Sequence, residues 1–348
     1  MVNVIVLSKN YRNYVSGYYH NDIVDAWCSE VNAFVYGPGY PNFSQDNTFE
    51  NIVSLSPFEI TDIDIVVMST SWDEDHLTDK VDPCPSVDLS QHSSFKKVYY
   101  LNKEYKKFDL RIEYAKKQRV DVVLTVHPDC VKWNKIYSDL NFVQSHFAVN
   151  FSRFGDKQEV RKYDFGFTGS LHQTHLDFRA KVKSKLFKSQ FMHLKSNKEW
   201  RAFGKKSPLQ SEFRNTNIYW AEFGARGFWL NNLLPTGDDY AKFLCKFKSF
   251  LNTPSAVGIF NTRFFELMAS NTLIVCPRVD EYCGVMQDQK NCLMYDPDMS
   301  DFQLVLDTAL DAKIREPILQ QAKEFVKGHT YHARVKTILK SLALERSN

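Results

Sequence analysis

Short runs of consecutive apolar residues alternate with segments of helical period along most of this chain, and the alternation occurs twice. In the first half the runs fall at 4–7, 33–36, 63–68, 98–101 and 120–126, with helical patterns at 21–30 and 109–118. Runs rich in Val and Ile, without polar alternation, predict strands buried on both faces, hence a parallel sheet with helices above and below. Residues 69–95 are polar and contain Pro83 and Pro85, which predicts a long loop above that sheet.

The pattern restarts at 163–170, expected as a strand ending in a Gly-Ser turn. A basic helix near 176–187 follows, then a strand at 191–194 and a helix near 240–250. A loop, helix and strand span 258–276, a strand lies at 292–295, and helices are expected near 301–310 and 317–327. The expected fold class is therefore α/β, with two doubly wound Rossmann-like domains facing a cleft. The polar stretch around Gly155 divides them into 1–155 and 156–330, and residues 331–348 form a terminal helix placed to cross back to the first domain.

Composition narrows the function classes. At 348 residues the chain exceeds one ordinary core, and 43% hydrophobic content supports two globular domains. A net charge of +3 gives no electrostatic footprint for nucleic acid, so no nucleic-acid partner is expected. Seven cysteines without regular spacing argue against a disulfide framework and for a reducing cytoplasm, and none has the spacing of a zinc site. The start, Met1-Val-Asn-Val-Ile-Val-Leu-Ser8, reads as a buried strand rather than a signal peptide. No stretch reaches the length of a membrane span, which leaves peripheral membrane contact open.

The most informative segment is 258–276. Arg263 and Glu266, three residues apart, share a face near the start of a short helix. A cation beside free helix N–H groups suits a phosphate, and a lone carboxylate suits a ribose diol. A surface ion pair on an ordinary helix explains the same spacing.

Four motifs occur in one order: Lys162-Tyr-Asp-Phe-Gly-Phe-Thr-Gly-Ser170, Lys246-Phe-Lys-Ser-Phe-Leu-Asn-Thr253, Phe260-Asn-Thr-Arg-Phe-Phe-Glu-Leu-Met-Ala-Ser-Asn271 and His329-Thr-Tyr-His-Ala-Arg334. The series resembles the C-terminal half of GT-B fold glycosyltransferases (the group 1 C-terminal domain), particularly the CgeB-like group with a terminal His-Thr-Tyr-x-x-Arg. It covers roughly residues 160–340. The resemblance implies transfer of a hexose or pentose from a nucleotide-sugar donor to a hydroxyl of a glycan or other acceptor, without a cofactor or essential metal. It assigns the donor to the second domain, with Glu266 on the ribose and Arg263 near the diphosphate. Asn261 and Thr262 belong to the same site, the turn Thr168-Gly169-Ser170 would offer backbone N–H groups, and Lys248 would supply a second cation. A solvated helix lysine is the plain alternative for Lys248. Two positions depart from the family pattern. Gly258 stands where many retaining members carry a second carboxylate, and Asn271 stands where a small residue usually follows the helix.

For the acceptor side, His127 follows the run 120–126 at a strand's carboxyl end, where it can act as a base, touch the donor sugar or cap the helix after Pro128. Asp73, in Ser71-Trp-Asp-Glu-Asp-His76, and His20, between the first strand and the first helix, are further candidate catalytic groups. The Asp62-Ile-Asp64 pair has metal-binding spacing but is expected to cap the following strand. The aromatic stretch 218–230 reads as core around an irregular loop, or as a surface for a sugar, a nucleobase, a membrane or a second copy. Two other readings stay open: a catalytically inactive nucleotide-sugar-binding protein and a GT-B fold nucleotide-sugar epimerase. The oligomeric state is not legible.

Overall fold

A computed structural model describes residues 1–12, 17–70, 72, 84–101, 107–170, 181–182, 209–213, 216–223, 235, 237–254, 259–282 and 284–343. Asp73, Gly258, the strand expected at 191–194 and nearly all of the helix expected at 176–187 lie outside the described residues. The chain divides into two compact units, Met1–Phe147 with Tyr331–Asn348, and Ala148–Thr330.

The first unit holds a six-stranded sheet in the order β2-β1-β3-β4-β5-β6. Its strands are β1 (Asn3–Leu7), β2 (Asn32–Tyr36), β3 (Ile65–Met68), β4 (Lys96–Tyr100), β5 (Val122–Thr125) and β6 (Phe142–Gln144). Every pairing is parallel. The apolar runs explain this arrangement. Val4 to Leu7 and Ile65 to Met68 are all fully enclosed, as a sheet covered on both faces requires. Helices α1 (Tyr18–Glu30), α2 (Phe49–Ser54), α3 (Phe108–Lys117) and α4 (Cys130–Ile136) supply the cover. Asp64 accepts from the Asn3 backbone N–H at 2.8 Å, the strand-capping role expected of it. Strand β6 was not anticipated, because Phe142–Gln144 is too short to carry a period.

The second unit's sheet runs β12-β11-β10-β7-β9-β8. Its strands are β7 (Tyr163–Ser170), β8 (Leu209–Phe213), β9 (Thr216–Phe223), β10 (Phe247–Leu251), β11 (Leu273–Pro277) and β12 (Leu293–Tyr295). All pairs are parallel except β8 with β9. Helices α5 (Gly237–Leu244), α6 (Arg263–Ala269), α7 (Phe302–Leu310) and α8 (Ala312–Lys327) belong to this unit. Strand β7 passes Phe247 so closely that a Cβ on Gly166 would lie 2.3 Å from that ring.

Three expectations are corrected. The helix expected at 240–250 ends at Leu244, and residues 247–251 form β10. Its aromatic residues fit both periods, and the parallel partners β7 and β11 decide for the strand. The aromatic stretch begins as strand β9 rather than an irregular loop, with Trp220 fully buried and its ring centre 4.3 Å from that of Phe167; residues 224–230 lie outside the described residues. Helix α8 starts at Ala312, before Pro317, because Asp311 caps it by accepting from the Lys313 N–H at 2.9 Å.

The terminal helix α9 (Tyr331–Ser341) belongs to the first unit and lies along α1. There the His332 ring nitrogen Nδ1 is 3.0 Å from a Glu30 carboxylate oxygen. Among the described residues, no helix is long and apolar enough to cross a membrane.

Candidate functional site

In the second unit the chain moves from β7 to β9 on one side and then to β10 on the other. The switch point therefore lies between β7 and β10, and an open parallel sheet of this kind binds ligands at the carboxyl ends of such strands. The segment singled out in the sequence folds there. Residues 259–262 lead into α6, which returns through Asn271 to β11. Asn271 takes the left-handed conformation, φ 55°, that closes the helix, and its Nδ2 donates to Asp156 at 3.1 Å. Arg161 holds the same corner by donating to the Ser270 carbonyl at 3.0 Å and to the Phe247 carbonyl at 3.2 Å.

Arg263 faces inward. Its Nη1 donates to the Thr168 carbonyl at 2.5 Å, its Nε donates to the Tyr240 hydroxyl at 2.9 Å, and its guanidinium lies 5.8 Å from the Phe250 ring centre. The side chain thus joins β7, β10, α5 and α6 at one point. Glu266, one turn on, is 2% exposed. Burial raises the Tyr240 pKa; the Arg263 charge opposes that rise and the Glu266 charge adds to it. Arg263, Glu266 and Tyr240 therefore form one electrostatic cluster. Asn261 lies beside it: its Oδ1 accepts from Asn252 Nδ2 at 3.2 Å, and its Nδ2 donates to the Thr253 carbonyl at 2.8 Å. The Thr262 carbonyl accepts the N–H groups of Phe265 and Glu266, so Thr262 sits at the helix entrance.

Gly169 and Ser170 reach the same end of the sheet, but in another form than expected. Strand β7 continues through both, in register with Glu222 and Phe223 of β9, so they are extended chain rather than a turn. Lys248 is not brought to this group. It lies near the amino end of β10, where its Nζ donates to Asp164 at 2.6 Å. Asp164 and Gly169 are five residues apart on one strand, about 17 Å. Lys248 is therefore a strand residue in an ion pair rather than a helix lysine.

In the first unit the switch point lies between β1 and β3, where the Lys9 N–H donates to the Thr70 hydroxyl at 2.8 Å. His127 follows β5, two strands from β3 and so about 10 Å along the sheet. Its Nδ1 accepts from the Asp129 N–H at 3.1 Å and its ring stacks 5.0 Å from Trp133. When the imidazole is neutral, that bond leaves its proton on Nε2, which then donates. His20 is 5% exposed, in the first turn of α1, with its ring 4.5 Å from Tyr11 and 4.0 Å from Tyr19. Sequence reasoning missed Tyr240 and Asn252. The only available signal was their position, Asn252 directly after β10 and Tyr240 one helix earlier.

Residues 207–340 match the model of a glycosyl transferase-like family. No curated protein sequence matches the chain. Solved structures match over nearly its whole length. A glycosyltransferase from Rickettsia africae shares 11% identity at a TM-score of 0.56, with 99% of each chain covered. HepE from Anabaena, in complex with UDP and glucose, shares 9% identity at a TM-score of 0.58, with 99% of this chain and 100% of that chain covered. Sucrose-phosphate synthase from Thermosynechococcus elongatus shares 8% identity at 0.52, with 99% of each chain covered. The protein therefore has the two-domain α/β fold of the GT-B glycosyltransferases, and its residues 207–340 carry the match to the glycosyl transferase-like family.

Proposed function

We propose that this protein transfers a sugar from a nucleotide-sugar donor to a hydroxyl acceptor, with the donor's nucleotide held at the carboxyl ends of β7 and β10. The observation that carries the reading is a coincidence of place. The segment matched by the family model contains Glu266, Arg263 and Tyr240, which cluster at the switch point of their sheet. In this reading Glu266 accepts from the ribose hydroxyls, while Asn261, Thr262 and the carboxyl end of β7 at Gly169 and Ser170 line the nucleotide. Arg263 fixes the β7 end and adds positive charge beside the diphosphate, where stabilising the leaving group's charge is the largest catalytic demand. No metal is invoked for that step. His127 serves as a hydrogen-bond donor to the sugar through Nε2 rather than as the acceptor's base. A reducing cytoplasm suits the six described cysteines, none of which is in a disulfide.

Calorimetric titration of the full chain with UDP, GDP, ADP and CDP tests the site. UDP comes first because HepE is solved with UDP and with UDP-glucose. One of the four should bind, and Glu266→Ala should weaken it at least tenfold with the fold intact by circular dichroism. Failure of all four to bind removes the nucleotide site, and binding without donor hydrolysis or transfer would leave a nucleotide-binding protein in its place. His127→Ala should slow turnover without changing nucleotide affinity. Wild-type turnover takes His127 out of the site.

A further inference from the structure

The second unit carries an open groove that the transfer reading does not use. Its volume is about 350 Å³, at the lower end of the roughly 300–1,000 Å³ of small-ligand clefts. One wall is helix α8, which contributes Gln320, Gln321, Glu324 and Phe325. Positions i, i+1, i+4 and i+5 share one side of a helix, so these four side chains are neighbours. The opposite stripe, Ile318, Leu319, Ala322 and Val326, is buried.

The other wall is the loop before β12. Asn291, 4% exposed, braces it: its Oδ1 accepts from the Gln287 N–H and its Nδ2 donates to the Val285 carbonyl, both at 2.8 Å. A buried amide engaged through both its oxygen and its nitrogen fixes this wall before a ligand arrives, which lowers the ordering cost of binding. Gln287 and Lys290 stand exposed on the braced turn and line the groove. Gln287 Nε2 donates to the Gly284 carbonyl at 3.0 Å, so its Oε1 serves as an acceptor on this wall.

The lining selects a class of ligand. An amide both donates and accepts, as a hydroxyl does, so a groove of glutamines matches a molecule dense in hydroxyls. Lys290 disfavours a cation, and Glu324, whose oxygens lie 2.7 Å from Lys327 Nζ, disfavours an anion. Phe325, half-buried with its ring centre 4.3 Å from that of His329, adds apolar surface. Hydroxyls set around an apolar C–H face are the surface of a sugar ring.

We propose that this groove binds a neutral saccharide of one or two rings, with the amides of Gln287, Gln320 and Gln321 paired to its hydroxyls and Phe325 against its C–H face. The site would hold a glycan away from the place of transfer. It shares no residue with the Arg263, Glu266 and Tyr240 cluster, so its presence or absence does not bear on the donor reading.

Saturation-transfer NMR on the full chain with maltose, cellobiose, lactose and chitobiose, each without nucleotide, is the direct test. At least one disaccharide should receive saturation from the wild type. The double variant Gln320→Ala, Gln321→Ala changes only an exposed helix face and should keep the wild-type circular dichroism and melting temperature. It should weaken that disaccharide about tenfold or more, as the loss of two hydrogen-bonding amides implies. Glu266→Ala should leave the same signal unchanged, which separates this groove from the donor site. A crystal soaked with the disaccharide should show it between α8 and residues 287–291. Absence of saturation transfer to all four sugars, or equal binding by wild type and the double variant, would overturn the proposal.

Discussion

Replacing Arg263 with lysine separates charge from geometry at the centre of the donor site. The guanidinium donates in different directions to the Thr168 carbonyl and to the Tyr240 hydroxyl, and lies against Phe250. A lysine ammonium keeps the charge but lacks the planar fork that spans both acceptors. One bond from a charged donor is worth about 1.5–3 kcal/mol when its partner is left buried, and the ring contact adds about 0.5–1 kcal/mol. Keeping the Thr168 bond and losing the other contacts therefore costs about 2–4 kcal/mol. Alanine, which loses everything, should cost more. Urea unfolding of wild type, Arg263→Lys and Arg263→Ala measures the stability term. Titration with the nucleoside diphosphate that binds wild type measures the site. The brace argument expects Arg263→Lys to lose stability and at least tenfold in affinity, because β7 is no longer held at Thr168. A lysine variant with wild-type stability and affinity would refute the brace and leave charge as the only role of Arg263.

Two further substitutions probe the frame around the site. Gly166→Ala would put a Cβ 2.3 Å and 2.4 Å from two Phe247 ring carbons, so the ring must move and overpacking should cost about 1–3 kcal/mol or more. Thermal unfolding reads that loss, and Phe247→Leu in the same chain should restore part of it; a Gly166→Ala protein that melts like wild type would contradict the packing. Lys248→Met removes a half-exposed ion pair with Asp164, should cost no more than about 1 kcal/mol, and should leave nucleotide affinity unchanged. A tenfold loss of affinity would bring Lys248 back to the diphosphate.

The strands were the most legible part of the sequence. Their Val- and Ile-rich runs lie inside sheets covered on both faces, so the pattern is continuous and needs no knowledge of partners. The segment 240–251 was not legible, because its aromatic residues suit a helix or a strand. Only pairing with Tyr163 and Phe165 on one side and Leu273 on the other settled it. The same ambiguity put Lys248 on a helix, whereas it lies on strand β10. Gly169 and Ser170 read as a turn because small residues usually mark one, whereas the register with β9 keeps them extended.

By itself, the sequence determined the α/β class, the position of α6 between its loop and β11, and the presence of Arg263 and Glu266 on one turn. These follow from local periods and spacings of a few residues. The tertiary structure alone decided what those side chains meet. Thr168 and Tyr240 lie 95 and 23 residues from Arg263, and Arg334 reaches carbonyls 188 and 187 residues away. Spacing along a chain carries no information about such partners, because a guanidinium bonds whichever acceptors the packing of sheet and helix sets before it.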